Sequence, residues 1–456
     1  MENLTDTHAH LFYPDYAEEI DEVIERAVAA GVESIIVPAT DLESAKKVVE
    51  LTKKYDIIYG AVGVHPLDSK EWEKKWRSVL EKIALKNKKI VAIGEIGLDY
   101  YYDYSPKEKQ IEAFREQLEL AIELKLPVIV HNRDSDDDMM DVIREYTPQG
   151  LRAHFHCFNA SLEHALEYVR MGHMISFTGN LTFKKADELR RIAAAIHPEH
   201  LLLETDSPYM TPVPNRGKRN EPANVQYIAG ELARQHNLTP GDIARITKLN
   251  ARLFYGVGEI PPVSIVYPIG SALYVNVTNR CNADCIFCSR QDAPFIAGYN
   301  LGMEKREEPT ALQYLQQIGD PTRYSEIVFC GYGEPTIRWE VVKQIARRVK
   351  ELGGKTRMNT NGHGNVINHK DITPEMAGVI DSLSVSLNAV DSKTYANLMG
   401  VDENMYYEML DFTKKAKEFV PNVVLSVVSL PEIDTEKARR IAEVEIGVAF
   451  RERAFF

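Results

Sequence analysis

Short runs of β-branched and other apolar residues alternate with amphipathic stretches through the first half of the chain. Helical spacing of the apolar positions is clear in EEIDEVIERAVAAG (18–31) and EKQIEAFREQLELAIELK (108–125). Eight strand–helix units within about 250 residues are typical of a closed parallel barrel, so the pattern predicts a (β/α)8 barrel rather than an open doubly wound sheet. The predicted strands are LTDTH (4–8), SIIVPA (34–39), IIYGAVGVH (57–65), IVAIGEIG (90–97), PVIVH (127–131), AHFHCF (153–158), MISFTG (174–179) and LLLETD (201–206).

The alternation stops at GVGEIPPVSIVYPIG (256–270), where glycine and proline interrupt any helical period, and we interpret this segment as a linker. Six further apolar runs predict a partial (β/α)6 barrel; they are SALYVNVT, EIVFCGYG, KTRMNTNG, DSLSVSLN, NVVLSVVSL and VEIGVAF. The chain is therefore predicted to be an α/β protein with a TIM-type barrel at 1–255, a linker at 256–270 and a second domain at 271–456.

Composition and charge narrow the class of protein. Of the 456 residues, 44% are hydrophobic and 27% are charged, which is typical of a folded globular protein. No apolar run is as long as a membrane span, which needs about eighteen residues. The stretch MENLTDTHAHL lacks the basic region and the apolar core of a signal peptide. Five clustered cysteines do not make a disulfide framework, so we expect a cytoplasmic protein. A net charge of −13 argues against binding nucleic acid by bulk charge, so a phosphate substrate needs a local, metal-assisted site.

Metal-ligating side chains fall where the predicted barrel strands end, on the face where barrel enzymes carry out their chemistry. They are His8, His10, Glu95, His131, His156 and Asp206. Imidazole and carboxylate together suit Zn, Mn, Fe or Co, and carboxylates also bind Mg. Because these ligands exceed the needs of one tetrahedral ion, we expect two ions bridged by Glu95, a centre suited to phosphodiester cleavage. Asp206 is expected both to bind metal and to accept the proton of the attacking water.

Several motifs of this half resemble those of the TatD family of metal-dependent deoxyribonucleases, which belong to the amidohydrolase-like barrels. They are DTHAHL, GVHP, IGEIGLDYY, PVIVHNRD, HCF and LLLETDSPYMTPVPNRGKRNEP, and they extend over residues 1–255. The resemblance implies that the six residues bind divalent metal (two ions of Mg, Mn or Zn) and that the enzyme is a nuclease acting on DNA. One departure is Asn159-Ala160, which stands where the family usually has Ser-Gly or Thr-Gly.

Four further residues are candidates for substrate contact. His65 follows the third predicted strand, and PNRGKRN after the last strand supplies Arg216, Lys218 and Arg219, near where barrels commonly bind phosphate. A structural role is the alternative for His65, and a solvated loop is the alternative for the three cations. Glu204 is two residues before Asp206 and is a candidate for orienting a metal-bound group. The same centre also suits a deacylase or amidohydrolase acting on nucleotide-like or aminoacyl compounds.

Three cysteines lie close together in RCNADCIFCSR (280–290), after a predicted strand. Cys281, Cys285 and Cys288 offer three thiolates, whereas zinc normally takes a fourth protein ligand, and the next cysteine, Cys330, is 42 residues further on. A [4Fe–4S] cluster held by three cysteines would keep one iron open to bind a cofactor or substrate. A zinc site or a structural thiol cluster is the alternative.

The spacing Cys-x3-Cys-x2-Cys resembles the signature of the radical S-adenosylmethionine (radical SAM) superfamily. The resemblance implies that the open iron binds S-adenosylmethionine, that the reduced cluster cleaves it to a 5′-deoxyadenosyl radical, and that flavodoxin or ferredoxin donates the electron. GYGEP (331–335), NTNG (359–362) and SVSLN (384–388) resemble cofactor-binding blocks, which implies cofactor contacts for Gly331, Gly333, Glu334, Asn361 and Ser386. A redox-sensing module that gates the hydrolase is the alternative. The union of the two domains resembles the TatD-associated radical SAM proteins.

Overall fold

Parallel strands that pair in chain order form the sheet of the first unit, Met1–Ile260. The structure is a computed structural model that describes residues 4–288, 293–430 and 433–453. The strands are β1 (Leu4–Asp6), β2 (Val32–Pro38), β3 (Ile58–Val62), β4 (Ile90–Asp99), β5 (Val128–Arg133), β6 (Ala153–Phe155), β7 (Met174–Phe177) and β8 (Leu201–Leu203).

Hydrogen bonds join the first and last strands of this sheet. The Thr7 amide, one residue beyond β1, donates to the Leu203 carbonyl in β8 at 2.8 Å, and the Thr7 hydroxyl donates to the same oxygen at 3.0 Å. Apolar strand residues such as Ile35, Val62 and Val130 are fully buried in the core. The predicted (β/α)8 barrel is confirmed.

Amphipathic helices connect the strands and cover the barrel. They are α1 (Ile20–Ala29), α2 (Leu42–Lys54), α3 (Lys74–Lys86), α4 (Lys107–Leu124), α5 (Asp136–Tyr146), α6 (Leu162–Arg170), α7 (Asp187–Ala195), α8 (Val225–His236) and α9 (Pro240–Tyr255). Helix α9 begins with a capping box between Thr239 and Asp242, and Pro240 takes the first helical position, where its missing N–H has no cost. None of the helices within the described residues is long and apolar enough to cross a membrane.

The second unit, Pro261–Phe456, has its own sheet. Its strands are β9 (Val266–Ile269), β10 (Ala272–Asn276), β11 (Phe295–Ile296), β12 (Tyr299–Asn300), β13 (Ile327–Cys330), β14 (Thr356–Thr360), β15 (Ser382–Ser386), β16 (Asn422–Val428) and β17 (Ala449–Arg453). Strands β10, β13, β14, β15, β16 and β17 run parallel in that order, β9 pairs antiparallel with β10, and β11 pairs with β12. The parallel strands confirm the predicted partial barrel.

Helices lie between the parallel strands of the second unit. They are α10 (Ala311–Ile318), α11 (Trp339–Glu351), α12 (Gly364–Asn368), α13 (Ser392–Met399), α14 (Asn404–Ala416) and α15 (Thr435–Arg440), and a π-helical turn, Ile441–Ile446, continues α15. Buried apolar residues of this unit, among them Val275, Phe329 and Leu425, pack into clusters that contain no residue of the first unit. Each unit therefore has its own core.

Two expectations from the sequence need correction. The predicted linker at 256–270 is too long, because Val257 packs in the first core and Val266–Ile269 form β9. Glu95 and His131 do not end their strands, because β4 and β5 continue to pair beyond them as far as Asp99 and Arg133.

Candidate functional sites

Backbone hydrogen bonds hold the segments after β1 and β8 against each other. The Asp206 amide donates to the His8 carbonyl at 2.9 Å, and the His10 amide donates to the Ser207 carbonyl at 2.7 Å. His8 and His10 flank Ala9, so in near-extended chain their side chains point to the same face. These contacts bring both imidazoles and the Asp206 carboxylate together at the carboxyl ends of the strands.

Glu95 lies at the centre of a group that we call the histidine–carboxylate cluster, which consists of His8, His10, His65, Glu95, His131, His156 and Asp206. Its Oε2 lies 3.3 Å from His8 Nε2 and 3.4 Å from His10 Nε2. Its Oε1 lies 2.9 Å from His131 Nδ1 and 2.9 Å from His156 Nε2. The two oxygens of one carboxylate thus face two different pairs of histidines.

Asp206 and His65 complete this arrangement from opposite sides. Asp206 Oδ1 lies 3.8 Å from His8 Nε2 and 3.6 Å from His10 Nε2, next to the first histidine pair. His65 Nε2 lies 3.5 Å from Glu95 Oε1, and its Nδ1 accepts a hydrogen bond from the Leu67 amide. The structure therefore brings together the six residues predicted to bind metal and adds His65 to them.

The cluster is buried, and burial shapes its titration. Burial raises the pKa of Asp206 to about 8 and lowers the pKa of His10 to about 4. Burial alone would also raise the pKa of Glu95, but the neighbouring His156, His65 and His8 outweigh it and hold that pKa well below its usual range. Neutral imidazole and ionised carboxylate are the forms that bind a cation, and a divalent ion would favour the ionised form of Asp206.

The loop that follows β10 carries the three predicted cluster ligands at half-buried positions, namely Cys281, Cys285 and Cys288. The Asp284 amide donates to the Met399 carbonyl at 2.9 Å, and the Ile286 amide donates to the Leu398 carbonyl at 3.0 Å, so the loop is fixed to the end of α13. A [4Fe–4S] cluster held by these three cysteines stays a prediction.

The segment GYGEP after β13 packs against the backbone that leads into the cysteine loop. A β-carbon on Gly333 would lie 2.3 Å from the Arg280 carbonyl oxygen and 2.4 Å from that of Thr278, so a larger residue would push this backbone away. The Glu334 amide donates to the Arg280 carbonyl at 2.9 Å. The motif thus fixes the residue immediately before Cys281.

Both carboxylate oxygens of Glu334 accept hydrogen bonds from the chain. Oε1 accepts from the Thr336 amide at 3.0 Å, the Thr336 hydroxyl at 2.7 Å and the Thr360 hydroxyl at 2.7 Å. Oε2 accepts from the Asn361 amide at 2.8 Å. Glu334 is 2% exposed, and burial raises its pKa. These bonds join the ends of β13 and β14, which supports a positioning role, and contact between this carboxylate and a cofactor stays a prediction.

Asn361 and Ser386 occupy different environments. Asn361 Nδ2 donates to Asn282 Oδ1 at 2.8 Å and lies 3.8 Å from Cys281 Sγ, so this side chain contacts the cysteine loop. Ser386, at the end of β15, accepts a hydrogen bond from Arg453 in β17 at 3.4 Å. Of the two predicted cofactor contacts, Asn361 is the one that the structure places against a predicted cluster ligand.

The family model of TatD related DNases matches residues 5–256, which is more than half of the chain. The chain belongs to the TatD family. The model of the Radical SAM superfamily matches residues 275–444. The two units are therefore a TatD metal-dependent hydrolase domain and a radical SAM domain, as their motifs indicated.

Relatives of the TatD domain cover it almost end to end. An uncharacterized metal-dependent hydrolase, YabD of Bacillus subtilis, is 41% identical over 254 residues, which are 56% of this chain and 99% of the relative. The 3′-5′ ssDNA/RNA exonuclease TatD of Citrobacter koseri is 31% identical over 55% of this chain and 98% of its own length. The crystal structure of YJJV, a TatD homolog from Escherichia coli K12, is 31% identical and covers 56% of this chain and 99% of its own, with a TM-score of 0.54.

The TatD domain's donor set fits divalent cations. His8 Nδ1, His156 Nδ1 and Glu204 Oε2 are buried and have no hydrogen-bond partner among the described residues. Several carboxylates are buried in the same region, and within the described residues none of them pairs with lysine or arginine; they are Asp6, Glu95, Asp99, Glu204 and Asp206. Buried negative charge requires a counter-charge, and cations held by the histidine–carboxylate cluster would supply it.

The TatD domain also contains a functional residue that the sequence analysis missed. Asp99 Oδ2 lies 2.9 Å from His131 Nε2, and Asp99 Oδ1 accepts hydrogen bonds from the amides of Tyr101 and Tyr102 at 3.0 and 3.2 Å. A carboxylate on the far nitrogen of a metal-binding histidine fixes its tautomer and orientation. The signal was strand alternation: Glu95, Gly97 and Asp99 share one face of β4.

Gly97 allows β4 and β5 to approach closely enough for this contact. Its φ of 143° lies in the region that favours glycine, and a β-carbon there would lie 1.9 Å from the His131 carbonyl oxygen. Any larger residue would separate the two strands. The glycine therefore helps to place His131 between Glu95 and Asp99.

Glu204 and His154 lie behind the cluster. Glu204 Oε1 accepts a hydrogen bond from the Cys157 amide and lies 3.7 Å from His156 Nδ1. His154 is fully buried between the Tyr255 hydroxyl and the Ser176 hydroxyl, each 2.6 Å from a ring nitrogen. Glu204 thus supports the segment that carries His156, and His154 has a structural environment.

The structure separates the three cations of the basic loop. Arg219 pairs with Glu19 at 2.8 Å, and its guanidinium lies 4.7 Å from the centroid of the Tyr16 ring. Arg216 lies over the Phe183 ring, and Lys218 is exposed. Arg219 therefore helps to hold the fold, whereas Arg216 and Lys218 are accessible to a substrate.

In the radical SAM domain, Asn388 is a second residue that the sequence analysis did not single out. It follows β15 and is 2% exposed, and its buried Oδ1 has no hydrogen-bond partner in the part of the chain that the structure describes. Its Nδ2 lies 3.4 Å from Met399 Sδ, which in turn lies 3.5 Å from Cys285 Sγ. A buried acceptor this close to the cysteine loop fits a domain that binds a cofactor there.

Proposed function

We propose that the TatD domain is a divalent-metal-dependent nuclease that hydrolyses phosphodiester bonds of DNA. We further propose that the radical SAM domain cleaves S-adenosylmethionine reductively at a [4Fe–4S] cluster. The observation that carries the first proposal is the placement of the Glu95 oxygens, each of which faces its own pair of histidines. A carboxylate shared in this way supports two neighbouring ions, as phosphodiester hydrolysis commonly uses.

In the proposed nuclease, the predicted ligands would divide between two metal ions. His8, His10 and Asp206 would hold one ion, His131 and His156 would hold the other, and Glu95 would bind both. Bound ions supply positive charge and lower the pKa of the attacking water.

Two carboxylates would have further roles in the reaction. Asp206, which at 8% exposure is more accessible than Glu95, would accept the proton of that water. Asp99 holds the imidazole of His131 in one orientation.

In the radical SAM domain, residues of this chain would hold the cluster and position the loop around it. Cys281, Cys285 and Cys288 would hold the cluster, and a cluster with one open iron supplies the electron that splits the sulfonium bond. Gly333 and Glu334 fix the entry to the cysteine loop, and Asn361 contacts Cys281. A low-potential electron donor such as flavodoxin or ferredoxin belongs to this proposal.

The nuclease is tested with labelled single-stranded DNA, single-stranded RNA and duplex DNA in the presence of Mg²⁺, Mn²⁺ or Zn²⁺. We expect metal-dependent cleavage of a single strand that EDTA stops and that Glu95→Gln abolishes. Failure to cleave any of these strands, with turnover of an aminoacyl ester or amide instead, would favour the deacylase alternative.

The radical SAM activity is tested by anaerobic reconstitution with iron and sulfide. We expect about four irons per chain and release of 5′-deoxyadenosine on reduction with dithionite in the presence of S-adenosylmethionine. Stoichiometric zinc without bound iron would refute the cluster. A cluster that cycles between redox states, leaves S-adenosylmethionine intact and changes the nuclease rate would favour a redox sensor.

A further inference from the structure

A cavity of about 660 Å³ lies among the segments that follow β6, β7 and β8 of the barrel. Polar, aromatic and basic residues line it, including Asn159, Asn180, Phe183, Lys184, Lys185 and Arg216. None of these except Arg216 belongs to the motifs from which the metal centre was predicted. The cavity is therefore lined by residues other than those of the histidine–carboxylate cluster.

The chain places this cavity beside the metal centre. Cys157, which directly follows His156, has its Sγ 3.5 Å from the Thr178 hydroxyl. Asn180 is two residues beyond Thr178, a distance of at most about 7 Å along the chain. The Val213 amide donates to the Thr182 hydroxyl at 2.9 Å, which ties the segment after β8 to the one after β7. A strand whose phosphodiester lies at the metal centre can therefore reach the cavity with a neighbouring nucleotide.

An aromatic ring and a guanidinium form a stack in the cavity wall. The Arg216 guanidinium lies 4.1 Å from the centroid of the half-buried Phe183 ring. Nucleobases stack on both aromatic rings and guanidinium planes, and such contacts tolerate any base because every base has a π-face. The Phe183–Arg216 pair is a surface of this kind.

Positive charge dominates the rim. Lys184 and Lys185 are exposed, and across the described residues no carboxylate pairs with either of them or with Arg216. The lining carboxylate, Glu188, is already paired with Arg191 at 2.6 Å. In a chain of net charge −13, such a local excess of cations favours an anionic ligand such as a phosphate.

We propose that this cavity binds a nucleobase, together with its adjoining phosphate, of the single-stranded substrate whose scissile bond lies at the metal centre. The inference rests on the proposed nuclease function. The base stacks on the exposed side of the Phe183–Arg216 pair, and the phosphate lies by Lys184 and Lys185. A paired base in a duplex cannot offer its face in this way, so the cavity selects single strands with little preference for sequence.

Binding is measured on the metal-free, full-length protein in EDTA, so that it does not depend on catalysis. The probe is a fluorescent single-stranded DNA of mixed sequence, followed by anisotropy. We expect Phe183→Leu to raise the Kd about ten-fold and Phe183→Trp to leave it close to native, because stacking needs an aromatic face. Lys184→Ala with Lys185→Ala should weaken binding and flatten its salt dependence, by about 0.7 in the log–log slope for each lost phosphate contact.

Lys88→Ala is the matched control, because Lys88 is exposed and precedes β4, on the opposite face of the barrel. Its Kd should equal the native value. Because Lys184 and Lys185 are exposed, their replacement tests the cavity even if a change at Phe183 unfolds the domain. A native Kd in the double lysine variant, or equal binding of duplex and single strands, would overturn the proposal.

A small substrate separates this inference from the proposed nuclease. Bis(4-nitrophenyl) phosphate carries a diester without a strand, so the ratio of strand to small-diester turnover reports on the cavity. We expect this ratio to fall at least ten-fold in Phe183→Leu. Small-diester turnover with unaltered strand binding in the cavity variants would refute the cavity alone. Cavity-dependent strand binding without any diester hydrolysis would refute the nuclease alone.

Discussion

The two domains hold their predicted ligands in different ways. In the TatD domain, ligands lie on strands or just beyond them and already contact one another, with Glu95 in reach of both histidine pairs. In the radical SAM domain, the three thiols belong to a loop, and neighbouring segments hold the backbone of that loop by hydrogen bonds. The first barrel thus brings its predicted metal ligands into contact directly, whereas the second domain fixes the loop that carries its predicted cluster ligands.

The largest expected effect is that of removing Glu95 from the TatD domain. Glu95→Ala removes the one carboxylate that faces both histidine pairs, so both ions should be lost together. We expect diester turnover to fall by at least about 10³-fold, since both metal functions disappear. Turnover and metal content by mass spectrometry of the purified protein check this result. Full metal occupancy with native turnover would remove Glu95 from the site.

The cysteine loop offers the corresponding test in the second domain. Cys281→Ala should abolish cluster assembly, seen as loss of iron and of the electron paramagnetic resonance signal, while diester turnover by the TatD domain persists. Cys330→Ala is the control, because its Sγ lies 3.5 Å from the Tyr267 hydroxyl and burial raises the pKa of its thiol to about 11. Loss of the cluster in Cys330→Ala but not in Cys281→Ala would reverse the assignment.

A third change weakens the TatD site without removing a ligand. Asp99→Asn keeps the shape of the side chain but loses the charge that orients His131. We expect about 10- to 100-fold weaker metal binding, which excess Mn²⁺ would partly restore. Metal titration followed by turnover measures this effect. An unchanged metal dependence would show that the histidine is held in place by packing alone.

The fourth change tests the frame of the second domain. Glu334→Ala removes the acceptor of four hydrogen bonds and leaves their donors without a partner. We therefore expect the free energy of unfolding of this domain to fall by about 3 kcal/mol. Urea unfolding, followed separately for the two domains, measures the loss. Glu418→Ala, at an exposed position, should stay within about 0.5 kcal/mol of native. A stable Glu334→Ala protein that binds iron but not S-adenosylmethionine would show that the carboxylate contacts the cofactor.

The smallest expected effect is that of separating the domains. Because each has its own core, residues 1–260 should fold alone with native Tm and native diester turnover. Thermal unfolding and metal-dependent turnover of this fragment provide the measurement. A fragment that unfolds, or that loses turnover, would show that the TatD domain depends on its partner.

The regular part of the fold could be predicted, because alternating apolar runs and amphipathic segments repeat along both domains. The metal ligands could be predicted for the same reason, since parallel strands bring their carboxyl ends to one face. Asp99 was missed because the fourth strand was predicted to end at Gly97, two residues too early. Positive φ at Gly97 is a property of the folded chain, and it carried no separate signal in the sequence.

The features that could not be predicted depend on contacts between residues that are far apart in the sequence. Arg216 and Arg219 are three residues apart, yet one meets Phe183 and the other meets Glu19, a partner 200 residues earlier in the chain. The sequence showed a basic loop, and only the fold divides it into an accessible cation and a structural one. Glu334 likewise could be recognised by its motif, but its bonds to Thr360 and Asn361 depend on the register of β13 and β14.

Strand β9 determines where a separately expressed radical SAM fragment should begin. It covers the side of β10 that β13 does not occupy, and Pro268 within it cannot donate a hydrogen bond to a further strand. A radical SAM fragment that began at residue 271 would lack β9 and expose the backbone of β10 to pairing with other chains, a common route to aggregation. A fragment that starts at Pro261 keeps β9 paired with β10 and should stay monodisperse.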